Sequence, residues 1–219
     1  MTLQLCIVRH SEDEDVVKRH SELYDVDARN DPFLAEYGRA RSLLFGSDWR
    51  RGLDEMEGLA HRGSLMSMLF VADAMRVPWG YEQDLPEAEA WFRVAVESGS
   101  ARGLFGLGLT HLQMGRFSDA IQDLEAAIAR DFPPAYNALA GMHFRGDGVP
   151  IDRQRALGLW RRGASLGHLG AKRDLIHELI HGRYGLLGRV EGILKVLPLA
   201  IEIVRIRNAN ANVYTDRLR

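Results

Sequence analysis

The stretch His177–His181 reads "HELIH". On a helix, two histidines four residues apart lie on one face, one turn apart, and can grip a zinc ion; the glutamate between them can then activate a metal-bound water. The uncharged neighbours Leu175, Ile176, Leu179 and Ile180 suit a helix. The chemistry this implies is zinc-dependent hydrolysis, with His177 and His181 as ligands and Glu178 as the catalytic group. Such a site needs a third protein ligand. One extended form of the motif takes glycine and then histidine after the second histidine, where this chain has Tyr184 and Leu187. A downstream carboxylate is the other route, and the best candidate is Glu202, 21 residues after His181 in an apolar stretch. Two ligands and a base are therefore legible, and a third ligand is not.

Two other stretches invite a chemical reading. "IVRHSE" (Ile7–Glu12) is similar to the Arg-His start of the histidine phosphatases, but Ser11 stands where that family needs glycine, and helical patterns follow soon after. "FRGDGVPID" (Phe144–Asp152) could be a cation loop, a phosphate cradle or a tight turn. A calcium loop needs more oxygen ligands at alternate positions, and a phosphate loop needs Gly-Lys-Ser/Thr. Neither is present. The turn is the expected reading, with Gly146 and Gly148 reaching positive φ where a helix must stop.

The bulk properties narrow the classes. Of 219 residues, 46% are apolar and 26% charged, the composition of an ordinary globular protein. The net charge of −2 argues against nucleic acid, whose binders carry a basic excess. The single cysteine, Cys6, cannot form an internal disulfide, so no oxidising compartment is required. "MTLQLCIVRHSEDED" lacks the basic region and apolar run of a signal peptide, and no apolar stretch suits a membrane span. The expected compartment is the cytoplasm. The run "SEDED" reads as a solvated, mobile stretch.

A repeat organises most of the chain. "GVPIDRQRALGLWRRGASLG" (Gly148–Gly167) aligns with "GYEQDLPEAEAWFRVAVESG" (Gly80–Gly99), both opening Gly-x3-Asp-x3-Ala. The anchors Asp48, Asp84, Arg116 and Asp152 follow one another at 36, 32 and 36 residues. Such periods denote stacked helical hairpins. The intervening segments place Leu107, Leu139 and Leu175 four residues before His111, His143 and Leu179, an amphipathic helical pattern. Each unit is therefore helix A, turn, helix B, with Asp48, Asp84 and Asp152 as N-caps of the B helices. The expected core comprises Leu43, Leu44, Met56, Leu59, Val71, Phe92, Leu107, Leu124, Ile128, Leu139, Trp160, Leu175 and Leu179, with Met66, Met68 and Met75 as filler. In this register "HELIH" is part of the last A helix.

"GMHFRGDGVPIDRQRALGLWRRGASLGHLGA" resembles the Sel-one-like repeat (SLR), a relative of the tetratricopeptide repeat. The resemblance rests on Leu139-Ala140, Gly146, Gly148-Val149, Asp152, Ala156, Trp160 and Gly167. "GRFSDAIQDLEAAI" (Gly115–Ile128) is similar to the shorter tetratricopeptide form, and His111 and His143 stand where tyrosine is usual. The resemblance spans roughly Pro32 to Tyr184. It implies an all-α, right-handed superhelical solenoid that binds proteins, without catalysis and without a cofactor.

The expected organisation is an N-terminal extension (1–31), partly mobile, a solenoid of four to five repeats (32–184), an apolar C-terminal capping or docking helix (185–207) and a flexible tail (208–219). The A helices should line a concave face bearing Arg102, Gln113, Asn137, Arg145, Arg173, His177 and His181. That locally basic patch suits an acidic peptide or a C-terminal carboxylate. In the segment Leu186–Arg207, Val190, Ile193, Leu194, Leu197, Ile201 and Val204 form one stripe, expected to cover the end of the stack. Docking on a partner or a membrane surface is the alternative for residues 186–207.

Overall fold

The computed structural model describes residues 26–44, 48–77, 81–181 and 184–215, with side chains to Arg207. The helices run α1 (Leu34–Leu44), α2 (Trp49–His61), α3 (Leu65–Arg76), α4 (Leu85–Glu97), α5 (Ala101–Gln113), α6 (Phe117–Ala129), α7 (Pro133–Arg145), α8 (Arg153–Ser165), α9 (Leu169–His181) and α10 (Gly185–Thr215). No strand occurs among the described residues. Each helix packs on the next, forming an all-α, right-handed superhelical solenoid of antiparallel hairpins. Odd-numbered helices are the A helices and even-numbered ones the B helices. The A helices also touch one another from hairpin to hairpin more than the B helices do, so the A helices form the inner wall.

The same devices recur along the stack. After each B helix the chain turns through one residue at positive φ: Gly63, Gly99, Asp131 and Gly167. Glycine takes this left-handed conformation without steric cost, and aspartate is among the few other residues that tolerate it. The next N–H then reaches back to the B helix, as in Ser64 to Leu59 O (3.0 Å) and Ser100 to Ala95 O (3.1 Å). Between A and B helices, the N–H groups of Asp84, Arg116 and Asp152 donate to the carbonyls of Met75, His111 and His143. Gly146 ends α7 at φ 84° and Gly148 follows at φ 70°, so "FRGDGVPID" is the turn its glycines imply.

Asp84 and Asp152 cap their helices, their carboxylates accepting from the N–H of Glu87 and Arg155. The expected cap at Asp48 does not form; that residue sits at φ −101°, ψ 34°, outside the extended conformation from which a side chain reaches the first turn. The core matches the repeat register closely. Eleven of the thirteen expected residues are buried, and Leu43 and Ile128 are half-buried at helix edges. Met68 and Met75 are buried and Met66 is half-buried. Trp160 lies in the last core cluster, its ring 5.4 Å from that of Phe144.

Residues 26–31 are not loose. Asp31 accepts hydrogen bonds from Ser64 Oγ (2.8 Å) and Met66 N (2.7 Å) at the start of α3. Asp27 accepts from Ser100 Oγ (2.8 Å) at the start of α5. Two buried carboxylates thus meet the positive ends of two successive A helices. The remainder of the N-terminal extension, including Cys6, "IVRHSE" and "SEDED", lies outside the described residues.

α10 departs from expectation in two ways. It runs through Pro198 to Thr215, well past Arg207. It also turns the other face to the stack. Gly188 and Gly192 are buried, and a Cβ on Gly192 would meet Leu179 Cβ at 3.1 Å, so the helix approaches α9 over glycine. Val190, Ile193, Leu194, Leu197, Ile201 and Val204 are all exposed. The stripe does not cap the stack. The backbones come close only where side chains are absent, and bulky Leu and Ile would hold them apart.

Trp160→Ala should destabilise the fold by about 3–5 kcal/mol, as loss of a buried large aromatic does. Asp152→Ala should cost about 1 kcal/mol, and Asp48→Ala, with no cap to lose, only about 0.5 kcal/mol or less. Urea unfolding followed by circular dichroism checks all three, and equal losses at Asp48 and Asp152 would contradict the cap geometry.

Candidate functional site

The inner wall carries a groove of about 420 Å³ between α5, α7 and α9. Leu109 and Leu112 of α5 and Phe144 of α7 supply its apolar lining, with Trp160 reaching up from α8. Asn137 and Arg145 project from α7, and Asp174, His177 and Glu178 from α9. These positions follow from the 3.6-residue period. Once the Leu139 and Leu175 faces of α7 and α9 are buried, the residues a turn or so away border the groove.

Three polar atoms at this wall have no hydrogen-bond partner in the chain: Asn137 Oδ1, Trp160 Nε1 and Glu178 Oε1. Glu178 is 5% exposed, and its nearest cation is Arg153, with Nη1 3.5 Å from Oε1. Arg153 answers the Glu178 charge, which leaves Asn137 Oδ1 and Trp160 Nε1 without a partner in the chain.

Of the residues expected on the concave face, the structure brings together Asn137, Arg145 and His177 in this groove. His181 stacks on His177 with ring centroids 4.9 Å apart. Gln113 is exposed at the end of α5, and Arg102 lies at that helix's opposite end, with Nη2 3.2 Å from Asp73. The arginines are not free charges. Arg145 pairs with Asp147 at 2.6 Å and Arg173 with Asp174 at 2.7 Å. Sequence reading missed Leu109, Leu112, Phe144, Trp160, Asp174 and Glu178 as groove residues. From the sequence alone Trp160 reads as core and Glu178 as metal chemistry, and only the packing of α5, α7, α8 and α9 brings the set together.

The "HELIH" residues do not assemble into a metal centre. His177 and His181 point outward and Glu178 inward. Both carboxylate oxygens of Glu202, the candidate third ligand, bond Lys172 Nζ at 2.6 and 2.8 Å. No cluster of three potential ligands occurs among the described residues.

A second charged constellation lies between α4, α5 and α6. His111, 3% exposed, has Nδ1 2.6 Å from Asp123 Oδ2 and Nε2 3.3 Å from Glu89 Oε1. Glu89 also receives Arg93 (2.6 Å) and Arg116 (2.8 Å). Arg116 foremost, then Arg93 and His111, hold the Glu89 carboxyl down at about 2, against partial burial that opposes them. Burial pushes Asp123 up, with His111 opposing. In the next repeat, burial lowers His143, whose Nδ1 has no partner. This cluster ties α4, α5 and α6 together.

Comparison with known proteins agrees with the geometry. The family model described as "Sel1 repeat" matches residues 66–100 and 133–168. Both segments are Sel1 repeats. No curated protein matches the chain. A Sel1 repeat protein from Oxalobacter formigenes superposes with a TM-score of 0.65 at 20% identity, over 76% of this chain and 70% of that one. A Sel1 repeat protein from Klebsiella pneumoniae gives 0.53 at 20% identity, over 80% and 89%. A protective antigen of uropathogenic Escherichia coli with an SLR fold gives 0.56 at 15% identity, over 77% of this chain and 38% of that one. At such identities the likeness is one of fold. The Sel1 segments coincide with the A helices α3 and α7 and the hairpins they open.

Because Glu89 is held below the usual 4.5, its contribution to stability is present above that pH and is lost as pH falls toward 2. Glu89→Gln should flatten the fall in melting temperature across that acid range, which thermal scans at successive pH values would register. Zinc analysis of the purified protein should find well under one ion per chain, with a melting temperature indifferent to EDTA. Stoichiometric zinc lost on His177→Ala would instead require a ligand set different from the one described.

Proposed function

We propose that this solenoid is a non-catalytic scaffold that binds another protein or a peptide in the groove between α5, α7 and α9. Sel1-repeat proteins in general mediate protein interactions. The observation that carries the reading is the groove itself, whose apolar lining of Leu109, Leu112 and Phe144 is bordered by the polar side chains of Asn137, Arg145, Asp174 and His177. An extended peptide offers backbone N–H and C=O groups every residue, the complement such a wall requires. Leu109, Leu112 and Phe144 would take an apolar side chain.

The patch proposed for binding is Asn137, Arg145 and His177 at its centre, with Arg102, Gln113, Arg173 and His181 at its margins. The acidic preference suggested by its arginines is weakened, because Arg102, Arg145 and Arg173 are each paired within the chain. Asp174 and Glu178 at the same wall favour a segment rich in hydrogen-bond donors. Nothing in this role calls for a cofactor, and the proposed compartment is the cytoplasm. No helix among the described residues is long and apolar enough to cross a membrane.

Panning a displayed peptide library against the full chain tests the proposal. Selected peptides should bind at least about tenfold more weakly to His177→Glu and Leu112→Arg, a loss of about 1.4 kcal/mol, and equally well to Arg50→Glu on α2. Peptides indifferent to both groove variants would move the site elsewhere.

A further inference from the structure

The chain joins the stack across the starts of its inner-wall helices. Residues 26–29 are helical, and two buried carboxylates mark the path. Asp31 accepts from Ser64 and Met66 at the start of α3, and Asp27 accepts from Ser100 at the start of α5. Followed toward lower numbers, the chain thus passes from one A helix to the next, and the 25 residues before Val26 leave from the start of α5. From there a stripe of half-buried side chains, Ala101, Phe105, Leu109 and Leu112, runs along α5. Its last two members line the groove between α5, α7 and α9.

The sequence before Asp27 is patterned to lie on such a stripe. At 100° per residue, Val16, Val17, His20, Leu23 and Tyr24 fall with Asp27 inside an arc of about 120°. The positions between them, Lys18, Arg19, Ser21, Glu22 and Asp25, are polar and all fall outside it. Buried Asp27 therefore belongs to the same face as the apolar residues. The lengths agree as well. At 1.5 Å per residue, a helix from Val16 to Asp27 spans about 16 Å, and α5 from Ser100 to Leu112 spans about 18 Å.

We propose that the segment Val16–Asp25 continues the helix of residues 26–29 and lays its apolar face along α5 into the groove, as an internal ligand that an outside peptide must displace. The proposal rests on the binding role given to that groove and adds its regulation. Leu23 and Tyr24 would meet the near end of the stripe, and Val16 and Val17 would reach Leu109 and Leu112. An amphipathic helix laid in an apolar groove is a recurring mode of recognition. Tethered at Asp27, the segment meets the groove at an effective concentration on the order of millimolar. A groove open in a tenth of the molecules binds an outside peptide about tenfold more weakly than one always open.

Paramagnetic broadening in the full chain tests this. In a Cys6→Ser background, a nitroxide attached through Lys18→Cys should broaden the methyl signals of Leu109 and Leu112. It should spare those of Leu44 and Leu53, two hairpins away. Leu23→Glu combined with Tyr24→Glu should abolish the broadening, with helix content and cooperative melting kept. Peptides selected by panning should bind that double variant at least about tenfold more tightly than the wild type. Unbroadened Leu109 and Leu112 would overturn the proposal. So would broadening, or a peptide affinity, that the double variant leaves unchanged. Broadening that arises only between a nitroxide-bearing copy and an isotope-labelled copy would also overturn it, by making the occupant a second copy's segment. Broadening within one chain but no selectable peptide would uphold the segment as occupant and fail the scaffold reading. Selected peptides weakened by Leu112→Arg, with no broadening, would do the reverse.

Discussion

The close approach of the two helices in each hairpin is the constraint on which the structure depends. It is set by small residues at two repeated positions of each B helix. Gly52, Ala88, Ala120 and Ala156 occupy the first, and Ala95, Ala127 and Gly163 the second, all buried, with Leu59 at the second position of α2. A Cβ on Gly52 of α2 would lie 2.9 Å from Leu44 N of α1, and one on Gly108 of α5 would lie 3.3 Å from Ala120 O of α6; between hairpins, one on Gly103 would lie 3.1 Å from Ala95 Cβ. With the backbones this near, the larger side chains interlock around the contact rather than in it. Leu53, Met56, Phe92, Leu124, Trp160 and Leu179 then fill the spaces between hairpins. A single hairpin could not bury these residues, so the stack forms cooperatively or not at all.

That spacing also shapes the inner wall. Closely packed A helices leave only shallow space between their solvent-facing rows, and the groove between α5, α7 and α9 opens where Gly141 and Ala138 are small and Asn137 is short. The polar atoms stranded there are the cost of placing Trp160 and Glu178 at the border between core and surface. In the buried His111–Asp123–Glu89 cluster, by contrast, the carboxylates are answered within the fold by Arg93, Arg116 and His111.

The same principle explains the end of the stack. α10 takes the place of a B helix and uses glycine for close contact, as the internal hairpins do. An internal hairpin has a neighbour on its far side, and α10 has none within the described chain. Its remaining apolar residues face outward because no further described helix packs on that side.

Periodicity determined the fold class, the repeat boundaries, the turns at Gly146 and Gly148, the caps at Asp84 and Asp152, and nearly all of the core. These depend on local steric and capping preferences and on a period of 3.6, all of which act within a few residues. The sequence alone could not decide which side of α10 meets α9. Both a glycine face and a leucine-isoleucine face are legible there, and hydrophobicity favours the wrong one. Backbone approach distance, a property of two helices together, selects glycine. Nor could it decide the pairing of Arg102, whose partner Asp73 lies a hairpin away, whereas Arg145 and Arg173 pair with the sequence neighbours Asp147 and Asp174. The groove is the clearest case. Its members lie on four helices, from Leu109 to Glu178, and only the stacking of hairpins brings them to one place.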